Sequence, residues 1–289
     1  MTPSRKLHEL GQSLWLDNIA RELLTHGVLK RYIDDLSMTG MTSNPTIFDN
    51  AIKNSAMYDL DISPSAPSAG SGEDVLFSLA LADLTRAAEL FQPVFARTDG
   101  LDGCVPLEVS PLLTHDAKST LAAALDLHRR AAKPNLLIKI AGTVEGPLAI
   151  EEAIVAGVPV NVTLLFSCEQ YVAAAEAYLR GDERRIAVGK NSAVASVASL
   201  FVAQRTYKAY RELRVSPLLQ RAANNGARRR RTASWWRSTS TASSPRASGR
   251  SIPSINGAWT WARRWPRRSF RSWRAKQPRS LHITARPTR

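Results

Sequence analysis

Over its first two thirds the chain alternates short apolar runs with longer stretches of helical period. Ser13-Leu14-Trp15-Leu16-Asp17 reads as a strand, and the amphipathic stretch from Ile19 to Leu36 follows it. Met38 to Thr42 is a second short strand. The Pro-, Ser- and Gly-rich residues 62–72 read as a loop, and a helix is expected from Glu73 to Phe95. Val105 to Val109 is the third strand, with Pro106 tolerable only near its start. Thr114 is the expected N-cap of a helix over Asp116 to Ala132. The run Asn135-Leu136-Leu137-Ile138-Lys139-Ile140 is the fourth strand, and Glu145 to Ala156 is a helix. Val158 to Phe166 is the fifth strand, Glu169 to Gly181 a helix, and Ala193 to Val202 a sixth strand. Buried strands alternating with helices predict an α/β fold with a parallel sheet. Six repeats in one direction favour a TIM-type (β/α)8 barrel. Past Val202 the alternation stops: Arg205 to Ala223 still reads as a helix, and no period survives beyond Ala227.

Composition divides the chain at the same place. The net charge of +14 suggests a polyanion partner. Residues 228–289, however, hold 16 Arg and 1 Lys with no acidic residue, which leaves −3 for residues 1–227. Six of the seven Trp also fall in that tail. The expected organisation is therefore a folded domain over 1–227 and a disordered Arg/Ser/Trp-rich tail over 228–289. Cys104 and Cys168 fit no metal or redox spacing, so neither metal nor disulfide is expected. With no apolar leader and no membrane-length run, a cytoplasmic location is expected and no membrane partner.

One lysine, Lys139, stands inside an apolar strand. Strands of a parallel sheet are covered on both faces, and burial penalises an ammonium and so favours the neutral amine. A neutral amine attacks carbonyls to form Schiff bases. A strand-edge lysine, or one paired with a carboxylate, is the alternative. Barrel enzymes place their chemistry at the C-terminal ends of strands. The polar residues at those ends are Asp17, Thr42-Ser43-Asn44, Glu108, Lys139, Asn161 with Thr163, and Ser199. Singly, Asp17 reads as a helix cap, Thr42 to Asn44 as a turn, Glu108 as an ion-pair partner, and Asn161 and Thr163 as partners for backbone groups. Jointly they supply an amine, two carboxylates and several hydroxyl-binding groups.

Gly40-Met41-Thr42-Ser43-Asn44-Pro45-Thr46-Ile47-Phe48 resembles the N-terminal signature of transaldolases, and Asn135 to Thr143 resembles their Schiff-base lysine segment. Leu107 to Pro111, Asn161 to Ser167 and Ser196 to Val202 are similar to further segments of that family, in the same order. The resemblance runs from about Leu10 to Val202. It implies a cofactor-free (β/α)8 barrel that transfers a dihydroxyacetone unit between sugar phosphates in the pentose phosphate pathway. By the same resemblance Lys139 is the Schiff-base nucleophile and Asp17 the general acid/base. Glu108 and Thr163 position the water of carbinolamine formation, and Thr42, Asn44, Asn161 and Ser199 bind the hydroxyls of the transferred unit. Ala141 stands where the family usually has Pro.

Past Val202 the likeness breaks. Ala203-Gln204 occupy the places of a Ser-Arg pair that helps bind phosphate, and Arg205 to Leu213 resembles a helix that normally lies further downstream. The expectation is a barrel of about six recognisable strands, with an internal deletion after Val202 and an out-of-frame tail. Its partners are sugar phosphates, with no specific nucleic acid, and nothing in the sequence fixes an oligomeric state. Two alternatives stand beside transaldolase: a fructose-6-phosphate-type aldolase, and a non-catalytic protein that binds polyanions through the tail.

Overall fold

The computed structural model describes residues 2–65, 72–191 and 194–200, together with Pro217, Gln220 and 240–242. The strands are β1 (Leu14–Asp17), β2 (Gly40–Thr42), β3 (Val105–Glu108), β4 (Leu136–Ala141), β5 (Val160–Leu165), β6 (Ser196–Leu200) and β7 (Ser240–Ala242). The helices are α1 (Pro3–Glu9), α2 (Arg21–Thr25), α3 (Val28–Leu36), α4 (Pro45–Lys53), α5 (Asp59–Ser65), α6 (Gly72–Arg97), α7 (Ala117–Ala131), α8 (Gly146–Ala156) and α9 (Cys168–Ala187). β2, β1 and β7 form one parallel ladder and β3, β4, β5 and β6 another. A parallel bridge between Gly40 and Cys104 joins them, giving the order β7-β1-β2-β3-β4-β5-β6. The expected α/β class with parallel strands is what the chain adopts.

Period-two alternation gives each strand two faces. Leu16, Met41, Val105, Leu107, Ile138, Ile140, Val160 and Val162 pack with helix residues such as Leu84, Phe91, Leu127, Ile150 and Tyr171 in the main core. The other face begins with a separate cluster of Trp15, Cys104, Leu137 and Val197. Gly40 makes room for the indole, since a Cβ there would lie 2.8 Å from Trp15 Cε2. Asn135 fixes the start of β4 by donating to the carbonyls of Ala88 and Gly103, each at 2.8 Å.

Several expected boundaries move, each for a local reason. The stretch Ile19 to Leu36 is two helices, because Gly27 takes a left-handed conformation (φ 67°) between them. α5 runs to Ser65, into the segment read as loop; residues 66–71 lie outside the described residues. Thr114 does not cap α7: Asp116 does, accepting from Ser119 N at 3.0 Å, while Thr114 Oγ1 donates to the Pro111 carbonyl. α9 passes through Gly181 to Ala187. That glycine is a contact between helices and not a stop, because a Cβ there would lie 2.8 Å from the Glu151 carbonyl. Within the tail expected to lack structure, Ser240–Ala242 pair with Leu14–Leu16. The rest of that tail, the expected helix over 205–223 and the Ala203-Gln204 pair lie outside the described residues, apart from helical Pro217 and Gln220.

A buried polar clamp holds the segment after β1. Arg21 Nε meets Asp83 Oδ1 at 3.0 Å, and Tyr58 donates its hydroxyl to Asp83 Oδ2 at 2.9 Å. Tyr58 Oη in turn accepts from Arg21 N at 3.1 Å, and the guanidinium lies 4.4 Å from the Tyr58 ring centroid. Burial raises the pKa of Asp83, while Tyr58 and Arg21 oppose the rise. Among the described residues no helix is long and apolar enough to cross a membrane.

Candidate functional site

The face that starts with Trp15, Cys104, Leu137 and Val197 continues further along the strands as a polar layer. Asp17 follows Trp15, and Lys139 follows Leu137. Glu108 lies two alternations beyond Cys104, and its Cα pairs in register with Lys139, which pairs in turn with Asn161. Asn161 also pairs with Val197, so the apolar and polar layers interlock across the stagger of the sheet. Thr42 pairs with Asp17, and Thr163 with Ala141. Asp17, Thr42, Glu108, Lys139, Asn161 and Thr163 thus share one face because they share one parity.

Lys139 and Glu108 are the centre of the layer. Nζ lies 3.2 Å from Glu108 Oε2, with the two side chains 9% and 7% exposed. The geometry is that of an ion pair without hydrogen-bond alignment at Oε2. Nζ donates its aligned hydrogen bond instead to the backbone carbonyl of Ser43, at 3.1 Å. Burial raises the Glu108 pKa, and Lys139 pulls it back. A buried carboxyl with raised proton affinity beside an ammonium is a ready acceptor for the proton that the amine must lose before it attacks a carbonyl.

Asp17 has the second perturbed carboxyl. Burial raises its pKa, and the Lys139 charge opposes the rise. It caps no helix, since α2 starts at Arg21 after Ala20, and this removes the plainest alternative for it. A carboxyl shifted upward toward working pH suits reversible proton transfer. Asn161 and Thr163 are buried, 0% and 4% exposed. Asn44 carries a structural duty: its Oδ1 caps α4, accepting from Ile47 N at 2.9 Å, so its amide N–H2 is the group it can offer a ligand. β6 carries Ser199 in its backbone, and that side chain lies outside the described residues. Among the described residues no three His, Cys, Asp or Glu side chains converge as a metal site.

Two features escaped the sequence. Leu164, in a left-handed conformation (φ 60°), is the extra residue of a bulge where the β5–β6 register shifts between Val162 and Leu165. The extra residue resets the parity, so Leu165 stays in the helix-facing core while Thr163 keeps the face of Asn161. The other is Ser43, which supplies the carbonyl for Lys139. The bulge and the Ser43 carbonyl contact have no compositional signal, because both are backbone features.

The family model described as transaldolase/fructose-6-phosphate aldolase matches residues 14–240. Transaldolase 2 of Nostoc punctiforme is 40% identical over 200 residues, which make up 69% of this chain and 52% of that protein. The transaldolase of Trichodesmium erythraeum is 41% identical over 200 residues, covering 69% and 53%. That of Saccharopolyspora erythraea is 43% identical over 199 residues, covering 68% and 54%. The chain spans about half the length of these curated relatives.

Proposed function

The chain belongs to the transaldolase/fructose-6-phosphate aldolase family, and we propose that it acts as a transaldolase through a Schiff base on Lys139. The reading rests above all on the buried Lys139–Glu108 pair, with Asp17 close enough for its charge to feel the lysine. The neutral amine of Lys139 attacks the ketose C2 carbonyl, and loss of water from the carbinolamine leaves an iminium. Glu108 and Thr163 hold that water. Asp17 takes the C4 hydroxyl proton as the C3–C4 bond breaks; its electron pair passes into the enamine and an aldose phosphate departs. The enamine then attacks the aldehyde carbon of a second aldose phosphate, Asp17 returns the proton to the new alkoxide, and water releases the product. Splitting one difficult cleavage into two covalent steps is what the lysine contributes. Thr42, Asn44, Asn161 and Ser199 bind the hydroxyls of the three-carbon unit. No cofactor takes part.

Incubation with fructose 6-phosphate and borohydride, followed by peptide mass spectrometry, tests the reading. A reduced adduct on Lys139 is the expected result; a soluble, folded sample that gives none overturns it. The family description also names an aldolase, and acceptor dependence separates the two. A transaldolase holds the three-carbon unit until an aldose phosphate arrives, whereas an aldolase releases free dihydroxyacetone.

The finer reading of the fold is a (β/α)8 barrel that has lost part of its C-terminal third, with residues 1–227 as the catalytic body. A tail with no acidic residue supports an out-of-frame origin for it. Translating the other two frames of the coding DNA past codon 227 tests this: if neither yields a strand–helix pattern, the out-of-frame origin is wrong.

A further inference from the structure

We propose that Ser43 is a positioning residue for Lys139, orienting its Nζ through a backbone carbonyl that the serine hydroxyl holds in place. The assignment rests on the Schiff-base reading of Lys139, and its test is built to fail separately.

The seam between β2 and β3 is thinly bonded along the backbone. These strands share a single bridge, at Gly40 and Cys104. Gly103 N donates to the Thr39 carbonyl at 2.6 Å, and Met41 N to the Cys104 carbonyl at 3.3 Å. On β3 the N–H groups of Val105 and Val109 point toward β4, bonding Asn135 and Lys139 carbonyls. The residues between them on alternate positions, Pro106 and Glu108, therefore face β2. Pro106 has no N–H to return to β2, so the ladder loses a backbone rung at that point, while its own carbonyl remains an acceptor facing β2. Two residues past Met41, the Ser43 hydroxyl donates to the Pro106 carbonyl at 2.9 Å. This side-chain rung fastens the seam and leaves the Ser43 backbone free to turn its carbonyl toward Lys139 Nζ, 3.1 Å away.

One hydroxyl thus fixes the spacing between the lysine's hydrogen-bond acceptor and its ion-pair partner. Ser43 carries the carbonyl, and β3, to which it is tied, carries Glu108 two residues beyond Pro106. Ser43 is 1% exposed, so water does not compete for these bonds. An amine held between a carbonyl acceptor and a carboxylate at set positions keeps its lone pair, once deprotonated, on one approach line to the carbonyl carbon.

The experiment compares the wild-type chain with Ser43→Ala and Ser43→Thr, with Ser43→Cys as a second variant that keeps a weak donor. Trace labelling with acetic anhydride reads the reactivity of the Lys139 amine without any sugar, with Lys133 as the internal reference. In Ser43→Ala the released amine should label about threefold faster relative to Lys133. Its borohydride-trapped adduct with fructose 6-phosphate should form about tenfold more slowly. Ser43→Thr, or Ser43→Cys if the threonine methyl prevents folding, should move both rates back toward wild type. Opposite signs in the two assays mark positioning, because a purely structural loss lowers the melting midpoint without separating them. Wild-type labelling of Lys139 in Ser43→Ala would falsify the assignment, whatever the melting midpoint does. If the wild-type chain itself forms no sugar adduct, the transaldolase reading fails and the labelling ratio still decides the role of Ser43.

Discussion

Two interlocking layers of the same sheet face are built on opposite principles. The lower layer, Trp15, Cys104, Leu137 and Val197, is apolar and closed. The upper layer, Asp17, Glu108, Lys139 and Asn161, gathers three ionisable groups where water is largely excluded. The lower layer gains stability from burial at about 25 cal/mol per Å² of apolar surface. The upper layer forgoes that gain and adds a desolvation cost, which the Lys139–Glu108 pair and the Ser43 carbonyl partly offset. Stability is concentrated in one layer so that reactivity can be concentrated in the other.

Substitutions in each layer should therefore fail in different ways. The largest effect is expected from Lys139→Met, which removes the nucleophile while filling its volume. Transfer activity should fall about 10⁴-fold or more and the borohydride adduct should vanish, with the circular dichroism spectrum unchanged. Retained activity would show that the upper layer is structural. Trp15→Ala should do the reverse, costing about 3–5 kcal/mol in urea unfolding by opening a cavity in the lower layer. The adduct should still form in whatever fraction remains folded.

Glu108→Gln keeps the size of the side chain but abolishes its charge and its capacity to accept a proton. The rate of adduct formation should drop about a hundredfold with little change in the unfolding midpoint, as read by single-turnover trapping. The smallest expected effect concerns a carboxylate outside both layers. Asp182 in α9 is 1% exposed, and among the described residues neither of its carboxylate oxygens has a hydrogen-bond partner. Burial raises its pKa from 3.8 to about 6. The folded chain therefore binds this proton more tightly than the unfolded chain does. The penalty is absent below pH 3.8, grows as pH rises toward about 6, and is complete above it. Asp182→Leu should accordingly stabilise the protein by roughly 2–3 kcal/mol at pH 7.5, a gain that fades as unfolding is measured nearer pH 4. A gain independent of pH would locate the effect in packing alone.

These contrasts also mark how far sequence reading reached. The strand carrying Lys139 was legible because its apolar run, its length and its single charge are all local. The polar residues at strand ends were legible too, and Asp17, Glu108, Lys139, Asn161 and Thr163 were assigned to one site before their shared face was visible. Short helices were missed: α4 and α5 offer too few turns for a periodic signal, and α1 is only seven residues long. Gly181 misled because a glycine that admits a neighbouring helix reads the same in sequence as one that ends its own. Asn44 was assigned to a ligand and also caps α4, a duty visible only once Ile47 N lies within reach.

By itself the sequence determined the alternation of strand and helix, the parity of the polar residues and the family, because each is written in local spacing or in motif order. Tertiary structure alone decided which acceptors hold Lys139. The Ser43 carbonyl is 96 residues away along the chain, and backbone groups carry no residue identity to read. It likewise decided that the Ser43 hydroxyl reaches the Pro106 carbonyl, and that Leu164 bulges so that Thr163 and Leu165 each keep their proper face. Both outcomes depend on the register between strands far apart in sequence, which no local pattern encodes.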